Sequence, residues 1–196
     1  MPPTMRLATP DDAAQVRDIY APYCATPISF ETEPPSVEEM RGRLVKVLAE
    51  HPWLVCEEGG ALLGYAYAAR HRERSAYRWS VDTSVYVRQG RHRRGVGRAL
   101  YTSLFAVLPL QGYVNAYAGA TLPNPGSEGL HRAMGFQLVG VYERVGFKNG
   151  AWHDVAWFQR PLRPRPAEPP ELKRIEYMRN TPEWDEALGS GVALLV

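Results

Sequence analysis

The sequence predicts a mixed α/β domain, and three observations carry that reading. Apolar runs of strand length recur between glycine and asparagine turns, and amphipathic 3.6-residue periods follow capping residues. Residues 81 to 98 join the two signals: Val81-Asp82-Thr83-Ser84-Val85-Tyr86-Val87 reads as a strand, Arg88 to Arg94 as a basic loop, and Gly95-Val96-Gly97-Arg98 as a glycine-rich helix start. The first turn of a helix has backbone N–H groups without intrahelical partners, and glycines let an anion come close to them.

The elements follow in order. Met5 to Ala8 reads as a short strand, and Thr9-Pro10-Asp11-Asp12 supplies a helix start before Ala13, Val16, Ile19 and Tyr20 at helical spacing, ending at or just after Pro22. After a loop over 23 to 34, Ser36 with Glu39 makes a capping-box pattern that opens a helix to about residue 50. His51-Pro52 stops it. Two apolar runs, 53 to 57 and 61 to 69, flank the hairpin turn Glu58-Gly59-Gly60. Tyr77 to Val87 forms the next strand, with Val81, Thr83, Val85 and Val87 on one face and Asp82, Ser84 and Tyr86 on the other. From Gly95 the period becomes helical, with Val96, Ala99, Leu100, Leu104, Val107 and Leu108 in one stripe. Tyr113 to Ala118 reads as a strand, Leu122 to Gly135 as a loop and short helix, and 136 to 147 and 151 to 160 as strands joined by Lys148-Asn149-Gly150. The order is β-α-α-β-β-β-α-β-α-β-β. Pro161, Pro164, Pro166, Pro169 and Pro170 then mark a change of composition, so residues 1–162 read as the domain and 163–196 as a proline-rich tail, with a charged helix within 171 to 188 and an apolar end.

Composition narrows the function. The 196 residues are 45% apolar and carry a net charge of +2, so the arginines at 88 to 98 form a local patch in a nearly neutral chain. That favours a small anion over nucleic acid. Cys24 and Cys56 are the two cysteines, and Cys56 lies in the apolar run Trp53-Leu54-Val55-Cys56, which points to reduced thiols and a cytoplasmic location. The amino terminus lacks a leader pattern, and no apolar run approaches the roughly 20 residues of a membrane span. No His/Cys cluster has metal-site spacing, so no metal is expected.

The glycine turn is neither a Walker A loop, which needs four residues between its glycines and then Lys-Ser or Lys-Thr, nor a dinucleotide fingerprint, whose third glycine would replace Leu100. Taken alone, Gly-x-Gly is equally a tight turn beneath solvated arginines. In its strand–loop–helix setting, the stretch His92-Arg93-Arg94-Gly95-Val96-Gly97 resembles the acyl-coenzyme A binding unit of the GNAT N-acetyltransferases, with His92 where the family has Gln or Arg. Further blocks resemble the phosphinothricin N-acetyltransferase subfamily: Pro27 to Pro34, Trp53-Leu54-Val55, Ser75 to Trp79, Thr83 to Val87, Leu122-Pro123-Asn124 and Gly150 to Val155.

The resemblance implies a central, mostly antiparallel sheet of about seven strands flanked by four helices, splayed between the fourth and fifth strands after Val87, with acetyl-coenzyme A in the gap. It implies a homodimer. Backbone groups at Val85, Tyr86 and Val87 would hold the thioester, and Arg93, Arg94, Gly95, Val96, Gly97 and Arg98 the pyrophosphate, with Asn124 and Ser127 beside the carrier. It places a catalytic carboxylate at Asp82, where the usual residue is Glu; the shorter arm brings in a bridging water or a loss of rate, since about 1 Å of displacement can cost about a hundredfold. His131 stands where many GNAT enzymes have the tyrosine that protonates the thiolate, and Ser127 and His131 lie one helical turn apart. Phe30, Arg72, Arg74, Tyr77 and His153 are the acceptor-side candidates, arginines matching carboxylates or phosphinates and aromatics walling an aliphatic stem.

The expected reaction is acetyl transfer to the α-amine of a small glutamate-like amino acid such as phosphinothricin, methionine sulfoximine or methionine sulfone. The residues themselves leave open another small amine, a peptide amino terminus, or a non-catalytic coenzyme A sensor. Each of Asp82, His131, Arg72, Arg74 and His153 also reads as an ordinary structural or surface residue when taken by itself.

Overall fold

The computed structural model describes residues 2–195, and among these a single sheet runs through the molecule in the order β1-β2-β3-β4-β5-β7-β6. The strands are β1 (Thr4–Leu7), β2 (Trp53–Glu58), β3 (Ala61–Arg70), β4 (Ser80–Val87), β5 (Asn115–Thr121), β6 (Gln137–Lys148) and β7 (Ala151–Pro161). Helices α1 (Ala13–Cys24), α2 (Val37–Leu48), α3 (Val96–Gln111) and α4 (Pro125–Ala133) flank it, and α5 (Pro182–Gly189) lies in the carboxy-terminal segment. All neighbours are antiparallel except β4 and β5.

The strands of β2 alternate between two cores. Leu54 and Cys56 face α3, while Trp53 and Val55 face α1 and α2. Period-two alternation therefore buries both faces, as a central strand covered by helices on each side requires. Cys24 and Cys56 are buried free thiols, and burial pushes the Cys56 thiol up to about 11, so it stays protonated. The capping box that opens α2 forms as the spacing predicts: the Ser36 N–H donates to Glu39 Oε2 at 2.6 Å and the Glu39 N–H to Ser36 Oγ at 3.2 Å.

Three local expectations are corrected. Tyr77 closes a 3₁₀ turn over Ser75–Tyr77 and β4 begins only at Ser80. Helix α2 ends at Leu48, ahead of the His51-Pro52 stop. The apolar stripe of α3 is only part of its buried surface: Tyr101, Ser103, Phe105 and Gln111 are buried as well. Tyr101 and Phe105 pack on Phe136 in the main core, while the chain end covers Ser103 and Gln111: Gln111 Nε2 donates to the Lys173 carbonyl at 3.2 Å, and Ile175, Met178, Trp184 and Ala187 pack on Val107. Ser103 Oγ donates to the Leu188 carbonyl at 2.7 Å and accepts from the Gly191 N–H at 3.1 Å.

The splay also starts earlier than expected. Parallel pairing of β4 with β5 is limited to Ser80, Val81 and Asp82 against Asn115, Ala116 and Tyr117, so the strands part after Asp82, five residues before Val87. Strand β4 stays paired with β3 as far as Val87, which leaves its β5-facing edge open over the last rungs.

Candidate active site

The gap between β4 and β5 opens into a cleft of about 420 Å³. Its walls are Val85, Tyr86 and Val87 on β4, the loop from Arg91 into Arg98, Tyr23 on α1, and Asn124, Gly126, Ser127 and Leu130 at the start of α4. Two helix N-termini thus face one cavity. Asn124 caps α4 by accepting the Ser127 N–H on Oδ1 at 3.1 Å.

At the start of α3 the first intrahelical bond is the Ala99 N–H to the Gly95 carbonyl at 2.8 Å, so the N–H groups of Val96, Gly97 and Arg98 remain for a ligand. Arg93 and Gly95 both take left-handed backbone, at φ 60° and 79°, which turns successive N–H groups toward one point. A side chain at Gly95 would run into the Leu194 carbonyl, and one at Gly97 would come within 3.3 Å of Leu130 and 3.5 Å of Val87. Glycine is therefore required at 95, by the turn and the Leu194 carbonyl, while a side chain at 97 would have to push the Leu130 methyl back slightly.

The arginines divide. Arg93 and Arg98 line the cleft, whereas Arg94 lines a smaller pocket with Pro3, Glu58 and Leu195. Arg88 spends its Nε–H on the Leu62 carbonyl at 2.6 Å, and Arg91 lies 3.7 Å from Glu58. His92 is held at the wall by Tyr23: their Oη and Nε2 atoms are 2.9 Å apart, while Tyr23 Oη also donates to the Val87 carbonyl at 2.6 Å. Tyr23 was not legible as a site residue, since its helical spacing marks it equally as core.

Asp82 sits on the last paired rung, opposite Ala69 of β3 and Tyr117 of β5. Its Oδ1 lies 2.6 Å from His71 Nδ1. Burial raises the Asp82 carboxyl above the ordinary carboxylate range, while the bond and charge of His71 and the charge of Arg72 pull it back in part. The His71 ring stacks on Tyr117, centroids 4.2 Å apart and planes 12° from parallel. No spacing pattern in the sequence marks His71; the β3–β4 register that sets Ala69 opposite Asp82 is what brings it there.

His131 lies beneath the cleft wall, 3% exposed, with its ring stacked on Phe158. Its Nδ1 faces Ser127 Oγ and its Nε2 faces Tyr101 Oη, both at 3.3 Å. Burial lowers its pKa to about 4, so the ring is neutral near pH 7.

Of the acceptor-side candidates, Phe30 and His153 meet, with ring centroids 6.5 Å apart, and Tyr77 packs edge-on against His71 at 5.9 Å. Arg72 lies over the Trp157 ring at 5.7 Å. Arg74 is exposed, and its side chain has no hydrogen bond or ion pair among the described residues. The loop carrying Phe30 is fixed by Lys148, 5% exposed, whose Nζ donates to the carbonyls of Cys24, Thr26, Ser29 and Glu31 at 2.6 to 2.8 Å. On the face of β4 opposite α3, Tyr20, Trp53, Tyr65, Tyr67 and Tyr86 line a pocket of about 130 Å³ with the Arg43–Glu31 pair at its edge.

A sheet that splits at a parallel pair, with a glycine-rich helix start at one wall and a partly buried carboxylate at the apex, defines the GNAT class of acyl transferases. The chain belongs to the acetyltransferase (GNAT) domain family, whose sequence profile matches residues 5–157, and it is an N-acetyltransferase. It is 39% identical over 173 residues to a phosphinothricin N-acetyltransferase of Streptomyces viridochromogenes, covering 86% of this chain and 94% of that one. It is 30% identical over 161 residues to an L-methionine sulfoximine/L-methionine sulfone acetyltransferase of Salmonella typhimurium, covering 81% and 94%. A phosphinothricin acetyltransferase from Sinorhizobium meliloti, solved in complex with acetyl-coenzyme A, superposes with a TM-score of 0.78 at 36% identity, covering 82% of this chain and 89% of that one. The family's co-substrate is acetyl-coenzyme A, and the residues present fit it: first-turn N–H groups of α3 outside the helix's own bonding, glycines at 95 and 97 in the turn, and Arg93 and Arg98, whose side chains have no protein partner among the described residues, on a cleft that His92, Asn124 and Ser127 line together with Val85, Val87 and Leu130. No helix among the described residues is long and apolar enough to cross a membrane.

Proposed function

We propose that this N-acetyltransferase acts on the α-amine of a small glutamate-like amino acid of the phosphinothricin or methionine sulfoximine type. The observation that carries the reading is Asp82 on the last rung before β4 and β5 part, on the same strand whose Val85, Tyr86 and Val87 line the cleft. Acetyl-coenzyme A supplies the activated acetyl group. Asp82 takes a proton from the ammonium form of the acceptor, which frees the amine lone pair for attack, and N–H groups on the open edge of β4 around Val85 to Val87 hold the carbonyl oxygen as it becomes an oxyanion.

Arg93, Arg98 and the first-turn N–H groups of α3 hold the pyrophosphate, and Asn124 borders the pantetheine arm. His131 assists thiolate departure through Ser127, whose hydroxyl, 3.3 Å from the ring Nδ1 and on the cleft wall, gives the departing thiolate a hydrogen bond while the amine's surplus proton neutralises it. The acceptor's acidic group meets Arg72 and Arg74, and Phe30, Tyr77 and His153 enclose its stem. Residues 1–162 are the catalytic unit in this reading and 163–196 its brace.

A homodimer is part of the proposal. The edge strand β6 and the hairpin to β7 expose Leu138, Val139, Val141, Tyr142, Val145, Phe147 and Trp152, an apolar surface too continuous for an edge strand facing water. The buried, reduced cysteines support a cytoplasmic location. An acetyl-transfer screen over phosphinothricin, methionine sulfone, simple amines and peptide amino termini tests the substrate class: amino-acid analogues should lead. Coenzyme A stabilisation with no turnover across the panel would replace the reading with that of a sensor.

A further inference from the structure

We propose that His71 is a positioning residue for Asp82: its Nδ1–H, donated to Oδ1, fixes the short carboxylate so that Oδ2 is left to take the acceptor's proton. The inference rests on the reading of Asp82 as the base. An ionised carboxylate only accepts hydrogen bonds, so the hydrogen in the 2.6 Å contact belongs to Nδ1. Oδ2 has no protein partner among the described residues. The side chain of Asp82 is 31% exposed and that of His71 only 11%, so the carboxylate is the half of the pair that faces outward. His71 is itself held, stacked on Tyr117 and edge-on to Tyr77, so the donor is ordered before substrate arrives. In the step, an N–H bond of the acceptor ammonium breaks and Oδ2–H forms; the proton then leaves to solvent along the exposed edge of the carboxyl. The titratable groups around the pair are Arg72 in the β3–β4 connection, Tyr67 on β3, Tyr77 on the 3₁₀ turn and Tyr117 on β5.

The test is a set of pH–rate profiles for the full chain and its His71→Ala, His71→Asn and Asp82→Asn variants, with coenzyme A stabilisation of each as the check of folding. His71→Ala should lower kcat about 10- to 100-fold with little change in KM for acetyl-coenzyme A. It should also move the acid limb of kcat/KM to higher pH, because the donor that pulls the Asp82 carboxyl down is gone. Asn presents an N–H near the Nδ1 position, so His71→Asn should recover most of kcat. A His71→Ala enzyme with the wild-type profile, beside an inactive Asp82→Asn, would overturn the positioning role alone. His71→Asn as inactive as His71→Ala, with the acid limb abolished, would overturn it in favour of the imidazole as base. Full turnover by Asp82→Asn would remove the reading beneath it.

Discussion

His71 Nδ1 and Asp82 Oδ1 meet at 2.6 Å on the last rung before β4 and β5 part, which puts a partly buried carboxylate at the fork of the sheet. Burial raises the Asp82 pKa above that of an ordinary carboxylate, and the form that accepts a proton is the ionised one. Activity should therefore fail on acidification at a higher pH than a solvent-exposed aspartate would give, with kcat/KM falling as pH drops through the raised pKa. Asp82→Asn keeps the shape and removes the base, and should lower kcat by about 10² to 10⁴ while leaving coenzyme A affinity nearly intact.

The division of the arginines predicts unequal effects on the carrier. Arg98→Ala, or Arg93→Gly, which retains the left-handed backbone, should weaken coenzyme A binding about tenfold each, the loss of one charge-assisted contact. Arg94→Ala should change it less than twofold, since Arg94 lines the smaller pocket beside Glu58 rather than the cleft. Calorimetric titration at fixed ionic strength measures both.

Lys148 is a stability prediction with a functional edge. Lys148→Met strands four inward-facing carbonyls that now share one ammonium, a loss of about 2 to 4 kcal/mol in unfolding free energy. The loop carrying Phe30 should loosen first, so KM for the acceptor should rise more than KM for acetyl-coenzyme A. A variant with unchanged urea midpoint would show the clasp to be dispensable.

His131 should make the fold acid-sensitive in a defined window. Its pKa is lowered to about 4 in the folded chain against about 6.5 unfolded, so between those values the unfolded chain binds more protons and stability falls as pH drops. The full effect is about 3 kcal/mol, reached near pH 4. His131→Gln removes the titration, and the slope of urea midpoint against pH should flatten between 6.5 and 4 whatever the variant costs in absolute stability.

What was legible in the sequence was local. The Ser36–Glu39 capping box, the Gly59-Gly60 hairpin and the strand–loop–Gly95 unit each depend on residues within a few positions of one another, and each forms where the pattern puts it. The faces of β4 were equally legible, because period two assigns Val81 and Tyr86 to opposite sides whatever pairs with them. Contacts fixed by register or closure were not. His71 reaches Asp82 only because Ala69 stands opposite it, and Lys148 reaches carbonyls more than 115 residues away in sequence. The charged pattern of 171 to 188 hides Ile175, Met178, Trp184 and Ala187, which are apolar at irregular spacing and become a core only once α3 is beneath them.

The tail's end touches the cofactor loop, and that contact yields a prediction in which two costs can be separated. Gly95 has φ 79° and lies against the Leu194 carbonyl, so an alanine there meets both a backbone penalty and an obstructing chain. The backbone penalty for a non-glycine residue in the left-handed region is about 1 to 2 kcal/mol and is paid wherever the tail lies. The obstruction is removed if residues 190–196 are deleted. Gly95→Ala should therefore cost the full chain markedly more stability than it costs the shortened chain, and in the full chain it should free the carboxy terminus for limited proteolysis. Equal costs in the two backgrounds, by urea denaturation, would mean that the tail yields without resistance and that the carrier loop is shaped by its own backbone alone.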